Sequence, residues 1–419
     1  MNWLSLAFAA TALSAAVDPI SISGRSEVPG FNYDTDKVRG VNLGSWFVLE
    51  PYMTPSLFTS FPDNAIPVDE YHLTQELGKD QAKEVLEQHW ATWITESDFA
   101  QIAGWGFNTV RIPIGYWAFL ARDQDPYVQG QEQYLDQALD WARKYNIKVW
   151  IDLHGVPGSQ NGFDNSGLRD ALEWQNPEWS NIQDTYTALS NINQKYAGSD
   201  YYDVISGIEL VNEPLGPSLD VNKIKEYYEG GYKDVRGQGS QGVIIHDAFL
   251  PIGTMNDWLD INDGYWNVVL DHHQYQVFSV GELQRTWDQH IQTACDIGRS
   301  YSQENKWRVT GEWSAALTDC SPMLNGVYRG ARYDATYQNS QYIGSCANIN
   351  DVSSWPEDKK QATRRYVEAQ MDAYDQGNGW IFWSYKTEST IEWDVRRLIQ
   401  NGLFPQPLDN RQYPNQCGY

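Results

Sequence analysis

Along the chain, short runs of β-branched and aromatic residues alternate with longer stretches in which apolar side chains recur every third or fourth position. The short runs fall at residues 39–49, 108–114, 148–154, 204–212, 242–248, 268–275, 308–313 and 380–385, and they read as strands. Amphipathic helical patterns lie between several of them, for example at 132–145, 221–234, 282–301 and 359–376. Strands alternating with helices predict a parallel sheet. Eight strands, and no Gly-x-Gly-x-x-Gly turn, favour an α/β fold closed as a (β/α)8 TIM barrel over an open doubly wound sheet.

The alternation begins only near residue 37. Residues 4–17 form a small, apolar run leaving through Ser14-Ala15-Ala16, which predicts a signal peptide over 1–16 and cleavage before Val17. The run is too short to span a bilayer, and no C-terminal apolar tail suggests a lipid anchor. Residues 17–36 are polar with Pro and Gly and read as a tail or pro-segment; 37–419 contain no linker or low-complexity tract and read as one domain with long loops.

Composition narrows the partner. The chain of 419 residues carries 30 Lys and Arg against 55 Asp and Glu, a formal charge of −25. Such a surface repels nucleic acid and anionic membranes but not a neutral ligand. The 19 Trp and 26 Tyr are more than a core of this size needs, and flat rings with a polar edge suit sugars. Cys295, Cys320, Cys346 and Cys417 are an even set without CxxC spacing; they predict two disulfides, with three pairings open, rather than zinc. No Asn-x-Ser/Thr sequon is present.

Residues able to do chemistry cluster where the expected strands end. Arg111, His154, Asn212 with Glu213, His273 with Tyr275, Glu312 and Trp383 each close a different apolar run. In a barrel all strand C-termini open on one face, so these distant positions would share one pocket. Glycoside hydrolysis needs two carboxyl groups flanking the scissile bond. Glu213, in Asn212-Glu213-Pro214, and Glu312, in Gly311-Glu312-Trp313, are the leading pair. The absence of HExxH argues against a metal-dependent hydrolase.

Seven segments in order give the pattern an identity: Arg39 to Trp46, Phe107 to Pro113, Asp152 to Gly155, Asn212 to Pro214, Asp271 to Tyr275, Gly311 to Trp313 and Gly379 to Ser384. The chain resembles glycoside hydrolase family 5, and within it the fungal exo-β-1,3-glucanases. The resemblance implies a retaining enzyme acting on a β-glucan polysaccharide or oligosaccharide, with no cofactor and no metal. Glu213 would be the acid/base, with a raised pKa, and Glu312 the ionised nucleophile. Arg111 and Tyr275 would hold Glu312, Asn212 would bond the sugar 2-hydroxyl, and His154 and His273 would bond hydroxyls or orient the carboxylates. Trp383 would floor the sugar. Glu50, Asp164 and Asn165 would close the pocket end around a terminal glucose, and Phe163 and Phe278 would grip the next unit. Ser45 stands where many relatives have Gly, with no role expected of it. The resemblance also implies the pairs Cys320–Cys346 and Cys295–Cys417, a secreted or wall-associated location and a monomer. Relatives acting on β-1,6-glucan or β-1,4-glucan, and a non-catalytic glucan-binding wall protein, are the alternatives; hydrolysis against transglycosylation stays open.

Overall fold

The computed structural model describes residues 28–419. The expected leader at 1–16, and residues 17–27 of the stretch after it, lie outside the described residues. Eight parallel strands close in chain order into a barrel: β1 (Val38–Asn42), β2 (Thr109–Gly115), β3 (Lys148–Gly155), β4 (Ile205–Glu209), β5 (Gly242–His246), β6 (Val268–Gln274), β7 (Trp307–Trp313) and β8 (Gly379–Phe382). β1 pairs with both β2 and β8, which completes the ring. Closure leaves no sheet edge and puts every strand C-terminus on one face.

The strands are buried almost throughout, and helices such as Gln131–Tyr145, Asn181–Tyr196, Val221–Gln238 and Glu357–Tyr374 cover the outside. The pattern expected at 282–301 divides into Val280–Leu283 and Trp287–Ser300 because Ser279 and Thr286 each start a helix with a capping box. Between β5 and β6 the chain makes only a 3-10 turn, Ile261–Asp263. The strand expected over 39–49 stops at Asn42, since Ser45 turns the chain into the left-handed region at φ 54°.

Two features fix the ends of the barrel. At the N-terminal face, residues 28–36 pack as a floor where the sequence suggested a tail. Tyr33 is buried, stacks on Trp307 at 5.2 Å and accepts a hydrogen bond from Trp150 Nε1 at 2.8 Å. Val28 and Phe31, interleaved with polar residues, join the same buried cluster. Cys295–Cys417 ties the C-terminal segment to helix Trp287–Ser300, and Cys320–Cys346 closes a loop after β7, the pairing the resemblance implied. Among the described residues no helix is long and apolar enough to cross a membrane.

Candidate active site

The strand C-termini surround a cavity of about 510 Å³. Of the residues singled out from the sequence, Glu50, Phe163, Asp164, Asn165, Glu213, His273, Tyr275, Phe278, Glu312 and Trp383 line it. Arg111 within β2, where the sequence suggested a strand end, His154 near the end of β3 and Asn212 just after β4 are wholly buried and bond to groups around it.

Arg111 organises the floor. Its Nε donates to Glu209 at 2.7 Å, Nη1 to Glu312 Oε1 at 2.9 Å and Asn42 Oδ1 at 3.1 Å, and Nη2 to Asn212 Oδ1 at 2.8 Å, with Asp152 at 3.0 Å. All its nitrogens are engaged, so the fork has one orientation, and that orientation meets Glu312. Burial works against the charge, but Asp152, Glu209, Glu312 and Asp271 outweigh it and hold the guanidinium protonated.

Glu312, on β7, also accepts from the Tyr275 hydroxyl at 2.8 Å. Gly311 precedes it because the Asp271 carboxylate occupies the space a side chain would need: a Cβ there would lie 2.2 Å from Asp271 Oδ1, and Gly311 N–H donates to the same oxygen at 2.7 Å. Glu213 follows β4 with φ 46°, a conformation costly to a residue with a side chain. Its carboxylate is fixed there by His273 Nδ1 at 2.7 Å and by the Asn165 amide at 3.0 Å.

His273 reaches both carboxylates. Nδ1 lies 2.7 Å from Glu213 Oε1 and 3.5 Å from Glu312 Oε2, which keeps those oxygens closer than the roughly 6.5 Å at which inverting pairs begin. Nε2 faces Asp271 at 3.3 Å. Burial opposes a charge on the ring, yet Glu312, Asp271 and Glu213 hold it protonated well above the usual range. Burial alone would raise Glu213, but the His273 hydrogen bond and charge bring it down to about 2. Glu312 is raised by burial, with His273 and Arg111 opposing. These directions reverse the sequence expectation of a raised acid beside a fully ionised nucleophile. The cause is the His273 ring, whose hydrogen bond and charge favour the ionised form of Glu213.

Around this centre, Trp383 lies parallel to His154 at 5.6 Å, and its Nε1 donates to the Tyr52 hydroxyl at 2.6 Å. His154 Nδ1 bonds Asp152 at 2.6 Å, while its Nε2 and the Asn212 Nδ2 are buried without a hydrogen-bond partner among the described residues. Both can serve a ligand hydroxyl. Glu50 is buried, and its carboxyl is raised well above the ordinary range by desolvation, then by Asp164, Glu312 and Glu213. Asp164 is raised to about 7, chiefly by burial. Asn165 gives its amide to Glu213, so it belongs to the carboxylate pair as well as to the pocket end. Phe163 and Phe278 are each about two-fifths exposed at the mouth.

Several residues escaped the sequence reading. Asp152, Glu209 and Asp271 sit inside apolar strands, and a charge in such a run must be paired when buried; that was the available clue. Ser45, given no role, accepts from Glu50 N–H at 3.0 Å and bonds Thr54 at 2.8 Å, so it anchors the Glu50 loop. Glu213–His246–His273 and Glu209–Asp271–His273 each bring possible ligand atoms within 4.8 Å of one another. Both His273 nitrogens are hydrogen-bonded to carboxylates in these trios, so neither offers a lone pair to a metal.

Residues 76–388 match the Cellulase (glycosyl hydrolase family 5) model. The chain is 59% identical over 395 residues to glucan 1,3-beta-glucosidase 2 of Wickerhamomyces anomalus, with 92% of each chain covered. It is 55% identical over 396 residues to glucan 1,3-beta-glucosidase I/II of Saccharomyces cerevisiae, covering 91% of this chain and 88% of that one. A rutinosidase from Aspergillus niger has a similar fold, with a TM-score of 0.68 at 20% identity over 90% of this chain and 99% of its own.

Proposed function

The chain belongs to glycosyl hydrolase family 5, and from that membership we propose that it is a retaining exo-β-1,3-glucanase that releases glucose from the non-reducing ends of β-1,3-glucan. The observation that carries the chemistry is the pair of carboxylates, Glu213 and Glu312, meeting on His273 Nδ1 while Arg111 and Tyr275 hold Glu312 alone. Glu312 is oriented by a guanidinium and a phenol that keep their protons, which suits attack; Glu213, bonded to a protonated imidazole, has a proton within reach to give away.

In the first step Glu312 attacks the anomeric carbon and the glycosidic oxygen departs with the proton of the Glu213–His273 pair. In the second, Glu213 takes a proton from water, and the water oxygen displaces Glu312. Asn212 Nδ2 and His154 Nε2 bond sugar hydroxyls, and Trp383 floors the ring. Glu50 and Asp164 come from loops after different strands and cap one end of the pocket, which supports an exo mode. The two disulfides support a secreted or wall-associated location.

Digestion of a linear β-1,3-glucan with timed product sizing tests this. Glucose should appear from the first minutes while polymer length falls slowly. Early oligosaccharides with rapid loss of viscosity would show an endo-acting groove, and turnover confined to β-1,6-glucan or β-1,4-glucan would reassign the substrate.

A further inference from the structure

His246, the last residue of β5, is fully buried and takes no part in the chemistry above. Its Nδ1 accepts the Ala248 backbone N–H at 2.9 Å. A nitrogen that accepts cannot carry a proton, so the ring is neutral and its single N–H is on Nε2. That Nε2 is buried and has no hydrogen-bond partner among the described residues. Buried donors are rarely left so, and the exceptions call for an explanation. Here the neighbours supply one. The ring stands edge-on to His273, centroids 4.4 Å apart at 76°, and a ring nitrogen lies within 4.8 Å of a Glu213 oxygen and a His273 nitrogen.

We propose that His246 is a positioning residue for the acid/base carboxylate: its neutral ring fixes His273 against Glu213, and its Nε2–H stabilises Glu213 as a carboxylate while Glu213 takes a proton from water. The inference rests on the reading of Glu213 as acid/base. A cationic ring at this position would repel the His273 imidazolium; the Ala248 N–H prevents that. The other groups facing the trio are Asp247 beside His246, Asp271 on β6, Glu312 on β7 and the Asn165 amide. Of these, only the Asn165 amide gives Glu213 a donor without charge, and the unpartnered His246 Nε2–H is the other uncharged donor in the trio.

The test uses the full chain and an aryl β-glucoside with a good leaving group, so that release of the Glu312 ester limits turnover. Azide attacks the anomeric carbon of that ester, the sugar–Glu312 bond breaks with its electron pair returning to the carboxylate, and β-glucosyl azide forms without removal of a proton. Wild type should ignore azide, Glu213→Ala should be accelerated, and His246→Phe should be accelerated about tenfold, a fraction of what full base catalysis supplies. On β-1,3-glucan, whose leaving group needs the proton, the alkaline limb of kcat/KM in His246→Phe should rise by about 0.5–1 pH unit, because a carboxylate that loses a nearby N–H dipole holds its proton more tightly. Two further variants separate chemistry from packing. His246→Gln places an amide nitrogen where Nε2 was and should match wild type; His246→Asn places one where Nδ1 was and should behave like His246→Phe. A His246→Phe enzyme, or His246→Asn if that variant does not fold, that ignores azide and keeps the wild-type pH profile overturns the inference, however far its activity falls. If Glu213→Ala also ignores azide, the acid/base reading fails with it; if Glu213→Ala responds, the inference alone fails.

Discussion

His273 Nδ1 stands 2.7 Å from Glu213 Oε1, and this contact decides where the proton of the site rests. An imidazolium beside a carboxylate stores one proton for the two groups together. On the proposed mechanism the unit, rather than Glu213 alone, would be the acid.

The pH profile should show it. Glu312 has to be ionised to attack, and burial raises its carboxyl, so kcat/KM should fall on acidification from above the ordinary carboxylate range. The proton of the pair is held well above the usual histidine range, so activity should persist through neutrality before it is lost in alkali. In His273→Ala the proton returns to a buried carboxyl without a cation beside it, and the alkaline limb should move to lower pH. A limb that stays in place would remove His273 from the acid.

The two carboxylates should fail differently. Glu312→Ala should abolish turnover on every substrate. Glu213→Ala should lower turnover of natural glucan by about 100-fold or more, yet spare the first step on substrates whose leaving group needs no proton. Burst kinetics on an activated glucoside alongside steady-state rates on glucan distinguish the two, and equal losses on both would exchange or cancel the roles.

Retention follows from the two displacements proposed above, first by Glu312 and then by water. The β-anomer of glucose should be the first product by NMR, before mutarotation, since inverting the anomeric carbon twice restores its configuration. An α-anomer would overturn the mechanism.

Phe163 and Phe278 each present about two-fifths of their surface at the mouth, with Phe278 also resting on Tyr275 and Trp393. Replacing either by Ala should raise KM for β-1,3-oligosaccharides about fivefold, the equivalent of roughly 1 kcal/mol of ring packing. Small aryl glucosides should be unaffected. A uniform loss on both substrates would mean that the rings support the loops instead.

Much of this was legible in order and spacing. Strand ends were visible because apolar runs halt at polar residues, and Asn212, Glu213, His273 and Glu312 stand at or near such stops, whereas Arg111, expected to close its run, lies inside β2. What was not legible depends on closure of the ring. Arg111 and Glu209, 98 residues apart, become partners only when the barrel brings β2 and β4 together around its axis. His246 fell inside the expected strand 242–248 and was not singled out, and its meaning lies in an N–H left without a partner among the described residues. The Ser45 hydroxyl, bonded to the Glu50 backbone, shows a substitution that seemed silent in one dimension acting in three.

Tyr33 gives the barrel's floor a second meaning, for where the folded unit begins. Its ring fills the space between Trp150 and Trp307, so a chain cut back past it would lose the packing that closes the base. A cut inside 28–36 would expose two indoles at the base of the barrel, at a cost of the order of 3–5 kcal/mol for the loss of Tyr33 alone. The floor therefore works as a keystone, and shortening the chain through Tyr33 should lower the temperature at which the barrel melts.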